Sequence, residues 1–251
     1  MKLKSKLKPL AVAITLAFVQ QGAHAAPVAF DATTGNSSFL FFAFDATPGV
    51  EKSFIQGLNT RLDNIVAAPN AQQTFNLAGL SNLFAGSLNA VWGVVAADAV
   101  GSGFSNFRVV TSANTANGAP LPNATALRSA TTAFQNFVFA AGNGNPIATT
   151  VTSDPAYAGQ PLWSANWGGQ LPNAVNSLTN GSVLSAWLID AGTINNANRT
   201  PVTIALNKWQ LNLNGANGAQ LVYAPVPVPA ALWLLGSSMM GLISVARRRN
   251  V

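Results

Sequence analysis

The chain has no cysteine and one histidine, His24, and only 8% of its 251 residues are charged. About a quarter is ordinary for a soluble domain. The missing cysteines exclude a thiol nucleophile, a disulfide framework and thiolate metal sites. Beyond His24 there is no imidazole, which excludes a histidine-assisted serine nucleophile and the usual zinc ligand sets. There is no G-x-S-x-G elbow, P-loop or G-x-G-x-x-G fingerprint. Gly101-Ser102-Gly103 is too short to cradle a phosphate and reads as a hairpin turn. No metal, cofactor or catalytic residue is assigned, and the chain is not expected to be an enzyme.

The formal charge of +6 belongs to the two ends. Lys2, Lys4, Lys6 and Lys8 give +4 to positions 1–25, and Arg247, Arg248 and Arg249 give +3 to positions 225–251. Between them six cations face seven acids, a net −1 over positions 26–224. A nucleic-acid partner would need basic residues clustered on the folded part, so none is expected.

Both ends read as addresses. Lys2–Lys8 form a positive stretch, and Leu10–Val19 is an apolar run too short to span a bilayer. Ala23-His24-Ala25 then offers the small-x-small pattern of a signal-peptide cleavage site, with the cut expected before Ala26. At the other end, Ala230–Ala246 carries no charge. As a helix it would be roughly 26 Å long, slightly under the hydrocarbon thickness. Trp233 and Tyr223 suit a membrane interface, and Arg247–Arg249 form a stop that stays cytoplasmic. Pro225, Pro227 and Pro229 detach this segment from what precedes it.

The segment from Val226-Pro227-Val228-Pro229-Ala230 through the apolar Gly/Ser-containing run to Arg247-Arg248-Arg249 resembles a PEP-CTERM sorting signal of the V-P-L-P-A variant. Val228 departs from the commoner form, which has Glu there. The resemblance is confined to positions 226–249. It implies recognition by an exosortase, a membrane cysteine protease or transpeptidase of Gram-negative bacteria, with cleavage near Pro227–Pro229. It also implies export and association with exopolysaccharide and biofilm. The expected location is transient anchoring in the inner membrane, body in the periplasm, then the cell surface or extracellular matrix. The order of body segments, with Phe44-Asp45, then Trp92–Asp98, then a late tryptophan strand, loosely resembles other exported proteins of this type without an assigned activity.

Positions 26–224 form the expected secreted body, held by burial alone. Ser38–Asp45, Ala90–Ala97 and Val183–Ile189 are apolar on both faces and predict buried strands. Thr47-Pro48-Gly49 predicts a turn. Lys52–Leu58 permits either a hairpin strand or a helix through Phe54, Leu58, Leu62 and Ile65. Gln73–Leu77, Phe104–Val110 and Lys208–Asn214 alternate, and Leu221–Tyr223 closes the sheet. Leu127, Ala130, Phe134, Phe137, Val138 and Ala141 share one face of a helix over about 123–141. Five Asn-Gly dipeptides punctuate the body. The expected class is therefore mostly β: an antiparallel β-sandwich-like body with one helical insertion, plus a C-terminal transmembrane helix at 230–246.

Two sets of side chains remain as candidates. Asp45, Asp98 and Asp190 each end a buried strand. They form either one carboxylate rim, as a glycoside hydrolase would need, or separate Asx-turns, the commoner use of such residues. Trp163 and Trp167 lie in a Gly/Pro/Asn-rich stretch and either roof the core or stack on sugar rings of a matrix polysaccharide. Trp92, Trp187 and Trp209 lie in strands and are expected in the core.

Overall fold

The computed structural model describes residues 36–99, 107–114, 124–141, 147–149, 152–153, 157–159, 175–191, 201–215 and 218–224. The expected signal peptide, the expected sorting segment at 226–249 with the helix expected at 230–246, Gly101–Gly103, and Trp163 and Trp167 all lie outside the described residues.

The described chain is mostly β. Its strands are β1 (Ser38–Asp45), β2 (Lys52–Arg61), β3 (Gln73–Asn76), β4 (Val91–Ala99), β5 (Phe107–Ala113), β6 (Ile147–Thr149), β7 (Asn176–Ser177), β8 (Val183–Asp190), β9 (Val202–Gly215) and β10 (Gly218–Tyr223). Helices α1 (Leu62–Ala67) and α2 (Leu80–Leu83) flank β3, and α3 (Ala124–Ala141) lies between β5 and β6. The strands form one antiparallel sheet in the order β3-β10-β9-β8-β5-β4-β1-β2-β6. β7 pairs with the first residues of β4, where β5 does not reach.

The two facing layers of the expected sandwich thus come from a single sheet that curls until its ends approach. Gln56 on β2 donates its Nε2 to the carbonyl of Asn76 on β3, at 2.8 Å, although the two strands stand near opposite ends of the strand order. Phe39 on β1 packs on Trp209 of β9 with ring centroids 5.6 Å apart. Irregular register at Ser38/Leu40, Ser185/Trp187 and Gly218/Gln220 helps the curl, because each bulge sharpens local twist.

Curling gives the sheet an inner and an outer face, each with its own core. Inside, Phe39, Phe41, Trp92, Trp209 and Tyr223 are fully buried, joined by Leu62 and Ile65 of α1 and Leu80 of α2. Outside, Leu40, Phe42, Ile55 and Val109 meet Leu127, Ala130, Phe134 and Val138 of α3. This explains why all eight residues of β1 are buried: alternate side chains enter different cores.

Three expectations are refined. Lys52–Leu58 is strand and continues to Arg61, and the helical spacing takes over only at Leu62. Two short helices accompany the single expected one. Trp92 and Trp209 are core residues, but Trp187 is half-buried, because it lies on β8 while α3 covers β4 and β5. Of the turns, Thr47-Pro48-Gly49-Val50 closes with a Val50 N–H to Thr47 carbonyl bond of 3.1 Å, and Gly49 has φ 86°. Proline second and a left-handed glycine third is the type II pattern.

Candidate functional site

The three strand-end aspartates separate into two environments. Phe44 pairs with Val91 at the start of β4, whereas Asp98 stands near that strand's end. Asp45 and Asp98 therefore lie at opposite ends of the sheet, and the single rim of three carboxylates does not form.

Asp45 makes the Asx-turn. Its Oδ1 accepts the Thr47 N–H at 3.0 Å, and the Thr47 hydroxyl oxygen accepts Nδ2 of Asn89 at 3.0 Å. The Tyr157 hydroxyl donates to the Asp45 carbonyl at 3.0 Å. Burial alone would push the Asp45 carboxyl up. Hydrogen bonds from Thr47 and the Lys52 charge outweigh burial and hold it below the ordinary value.

Asp98 and Asp190 belong to a cross-strand row. Arg108 on β5 is the register partner of Asp98 on β4 and of Asp190 on β8. Ala96, Val110 and Leu188, two positions away on each strand, all enter the inner core. The row therefore faces inward, at the mouth of the curled sheet. Arg108 donates Nε to Asp98 Oδ1 at 3.2 Å and Nη2 to Asp98 Oδ2 at 2.7 Å. The same Nη2 reaches Oδ1 of Asp63, on α1, at 2.9 Å. Nothing in the sequence singles out Asp63, and only the tertiary placement of α1 brings it here. Arg108 does carry a signal: it and Asp98 stand five positions either side of Gly103, as partners across a hairpin must.

Among the described residues, the electrostatics follow from one cation among three carboxylates. The Asp98 side chain is 0% exposed, that of Arg108 24% and that of Asp63 49%. Burial, aided by the Asp63 and Asp190 charges, outweighs the hydrogen bond and charge of Arg108 and leaves Asp98 raised to about 6. Burial would lower the Arg108 value, but hydrogen bonds and charge attraction from Asp98 and Asp63 more than reverse this and keep the guanidinium charged.

This arrangement limits the chemistry. Two oxygens in contact with the same Nη2 lie within a few ångströms of each other, so these two carboxylates do come together. The guanidinium, however, occupies the space between them, and the buried Asp98 presents no face to a substrate. Among the described residues no group of three or more His, Cys, Asp or Glu side chains could hold a metal ion. Among the same residues no helix is long and apolar enough to cross a membrane.

No protein-family model, no curated protein and no solved structure matches this chain.

Proposed function

We propose that the chain is an exported cell-surface or extracellular-matrix protein, processed by an exosortase and acting without catalysis in association with exopolysaccharide. The observation that carries this reading is the ordered series at positions 226–249: a proline motif, an uncharged apolar stretch, then three arginines. The Lys-rich, apolar and Ala-x-Ala series at positions 2–25 supports the same route. The body adds support of another kind. It has no histidine or cysteine, and among the described residues its most perturbed carboxylate is tied to Arg108 and enclosed rather than presented.

Intact mass of the protein from cell, membrane and medium fractions tests this. The expected product begins at Ala26 and loses the residues after the Val226–Pro229 motif. Replacing Arg247–Arg249 by alanine should leave the tail uncut or mislocalise the protein. Recovery of the full chain, soluble in the cytoplasm and intact at both termini, would overturn the proposal. The alternative, a carbohydrate-binding module, rests on the two tryptophans set four positions apart among amides and glycines. It predicts retention on matrix polysaccharide that Trp163→Ala and Trp167→Ala abolish.

A further inference from the structure

The mouth of the curled sheet is spanned by the Arg108 guanidinium, shared between Asp98 of the sheet and Asp63 of a short helix whose Leu62 and Ile65 are buried in the inner core. Asp98 rises from β4, inside the sheet, and is wholly enclosed. Asp63 comes from α1, a helix of 6 residues whose N-cap residue, Arg61, makes no side-chain cap bond. Two backbone-directed bonds hold the start of α1: Leu62 N–H to the Ser37 carbonyl at 2.9 Å, and Asp63 N–H to Oδ1 of Asn36 at 3.2 Å. Arg61, the residue before α1, donates Nη1 to the Asn36 carbonyl at 2.8 Å, and Arg108 adds a further tie through Asp63. Among the described residues, the charged groups around Asp98 are Arg108 from β5, Asp63 from α1 and Asp190 from β8.

We propose that this cluster is an acid-responsive latch, in which a proton taken up by Asp98 shifts Arg108 from the sheet toward Asp63 and fastens α1 over the mouth. Above the transition Nη2 meets both carboxylates at once, and the buried one also takes Nε and so holds the guanidinium bidentately. A proton from solvent neutralises the Asp98 carboxylate, weakening its hold on Arg108 and removing one of three mutually repelling charges. The Asp63–Arg108 pair strengthens accordingly. Burial, with the two neighbouring acids, places this proton uptake near pH 6, within reach of mild acidification.

The test is carboxyl NMR titration of the full chain together with amide hydrogen exchange, expressed as protection factors at pH 7.5 and 5.0. Asp98 should titrate well above the ordinary aspartate value of about 3.9. Protection of α1 should rise about fivefold or more relative to β1 on acidification, an increment a free-energy change of about 1 kcal/mol produces. Asp63→Asn should leave the Asp98 titration present but remove the α1 response. Asp98→Asn should make α1 protection the same at both pH values. A cluster with only a structural role would change all protection factors together and leave no pH dependence confined to α1. If Asp98 titrates at or below about 3.9, or if α1 and β1 respond alike in the unaltered chain, the latch is refuted without any variant having to fold.

Discussion

At one end of the sheet a buried aspartate closes β1, and at the other end a buried aspartate stands near the close of β4. In sequence Asp45 and Asp98 look alike, each following an apolar run. In the fold they differ in where their partners come from. Asp45 takes an amide two positions ahead, so its hydrogen bond forms with the turn and orders little else. Asp98 takes a side chain from the next strand and shares it with a helix that enters before β3. Neutral donors led by the neighbouring Thr47, with the Lys52 charge beside them, lower the proton affinity of Asp45. A non-local cation shared among three acids leaves the buried one undercompensated, and its proton affinity rises.

The largest expected effect comes from removing the shared cation. Arg108→Ala leaves Asp98 enclosed without its guanidinium, and breaking a buried pair from one side costs about 3–5 kcal/mol at neutral pH. The loss should shrink at pH 5. The folded Asp98 binds a proton near pH 6, whereas an unfolded aspartate binds one near 3.8. Between these values the native state holds a proton that the unfolded chain lacks, so the Asp98 contribution to stability rises as pH falls through that window. Urea unfolding of Arg108→Ala and the unaltered chain at pH 7.5 and 5 measures this. An equal loss at the two values would erase the distinction between the two ends.

The opposite end should respond with the opposite sign and a smaller size. Asp45→Ala removes a charge-assisted bond within a turn, a loss of about 1–2 kcal/mol at neutral pH. Asp45→Asn keeps an acceptor and should recover most of it. The folded Asp45 carboxyl releases its proton more readily than the unfolded one. Its contribution is therefore present above the unfolded value near 3.8 and is lost as pH falls through the lower folded value. Unfolding curves of Asp45→Asn and the unaltered chain should converge below about pH 4. Divergence there would place the Asp45 effect outside its charge.

What the sequence discloses follows the range of the interactions involved. The buried strands β1, β4 and β8 are legible because a run apolar on both faces has to be covered on both sides, whatever covers it. The stripe of α3 is legible because Leu127, Ala130, Phe134 and Val138 repeat at helical spacing. Lys52–Leu58 is ambiguous because the helix and strand readings share Phe54 and Leu58. Pairing with β1 decides it, through a register from Asp45↔Lys52 to Ser38↔Arg61 that periodicity cannot reveal. Curling, which turns an expected pair of sheets into one, depends on contacts such as Phe39 with Trp209, far apart in the chain. The same rule governs the site. The Asp45 turn is readable from Asp45 through Gly49, and the Asp98–Arg108 pair is readable from hairpin symmetry. Asp63 is not, because α1 is held at the mouth by the long-range packing of Leu62 and Ile65 in the inner core.

The smallest expected effect tests how self-contained the Asp45 end is. Gly49 has φ 86°, and a Cβ built there meets nothing within 4 Å. Gly49→Ala should therefore cost only the left-handed backbone penalty, about 1 kcal/mol, without a packing loss. Gly49→Asn, which tolerates that conformation, should cost less. Because Gly49 and Asp45 serve the same turn, the double variant Asp45→Ala/Gly49→Ala should lose less than the two single losses together. Gly49→Ala combined with Arg108→Ala should be additive, since those residues sit at opposite ends of the strands. Coupling in the second pair and additivity in the first would show that the sheet transmits strain from one end to the other, and that its two aspartates are not independent sites.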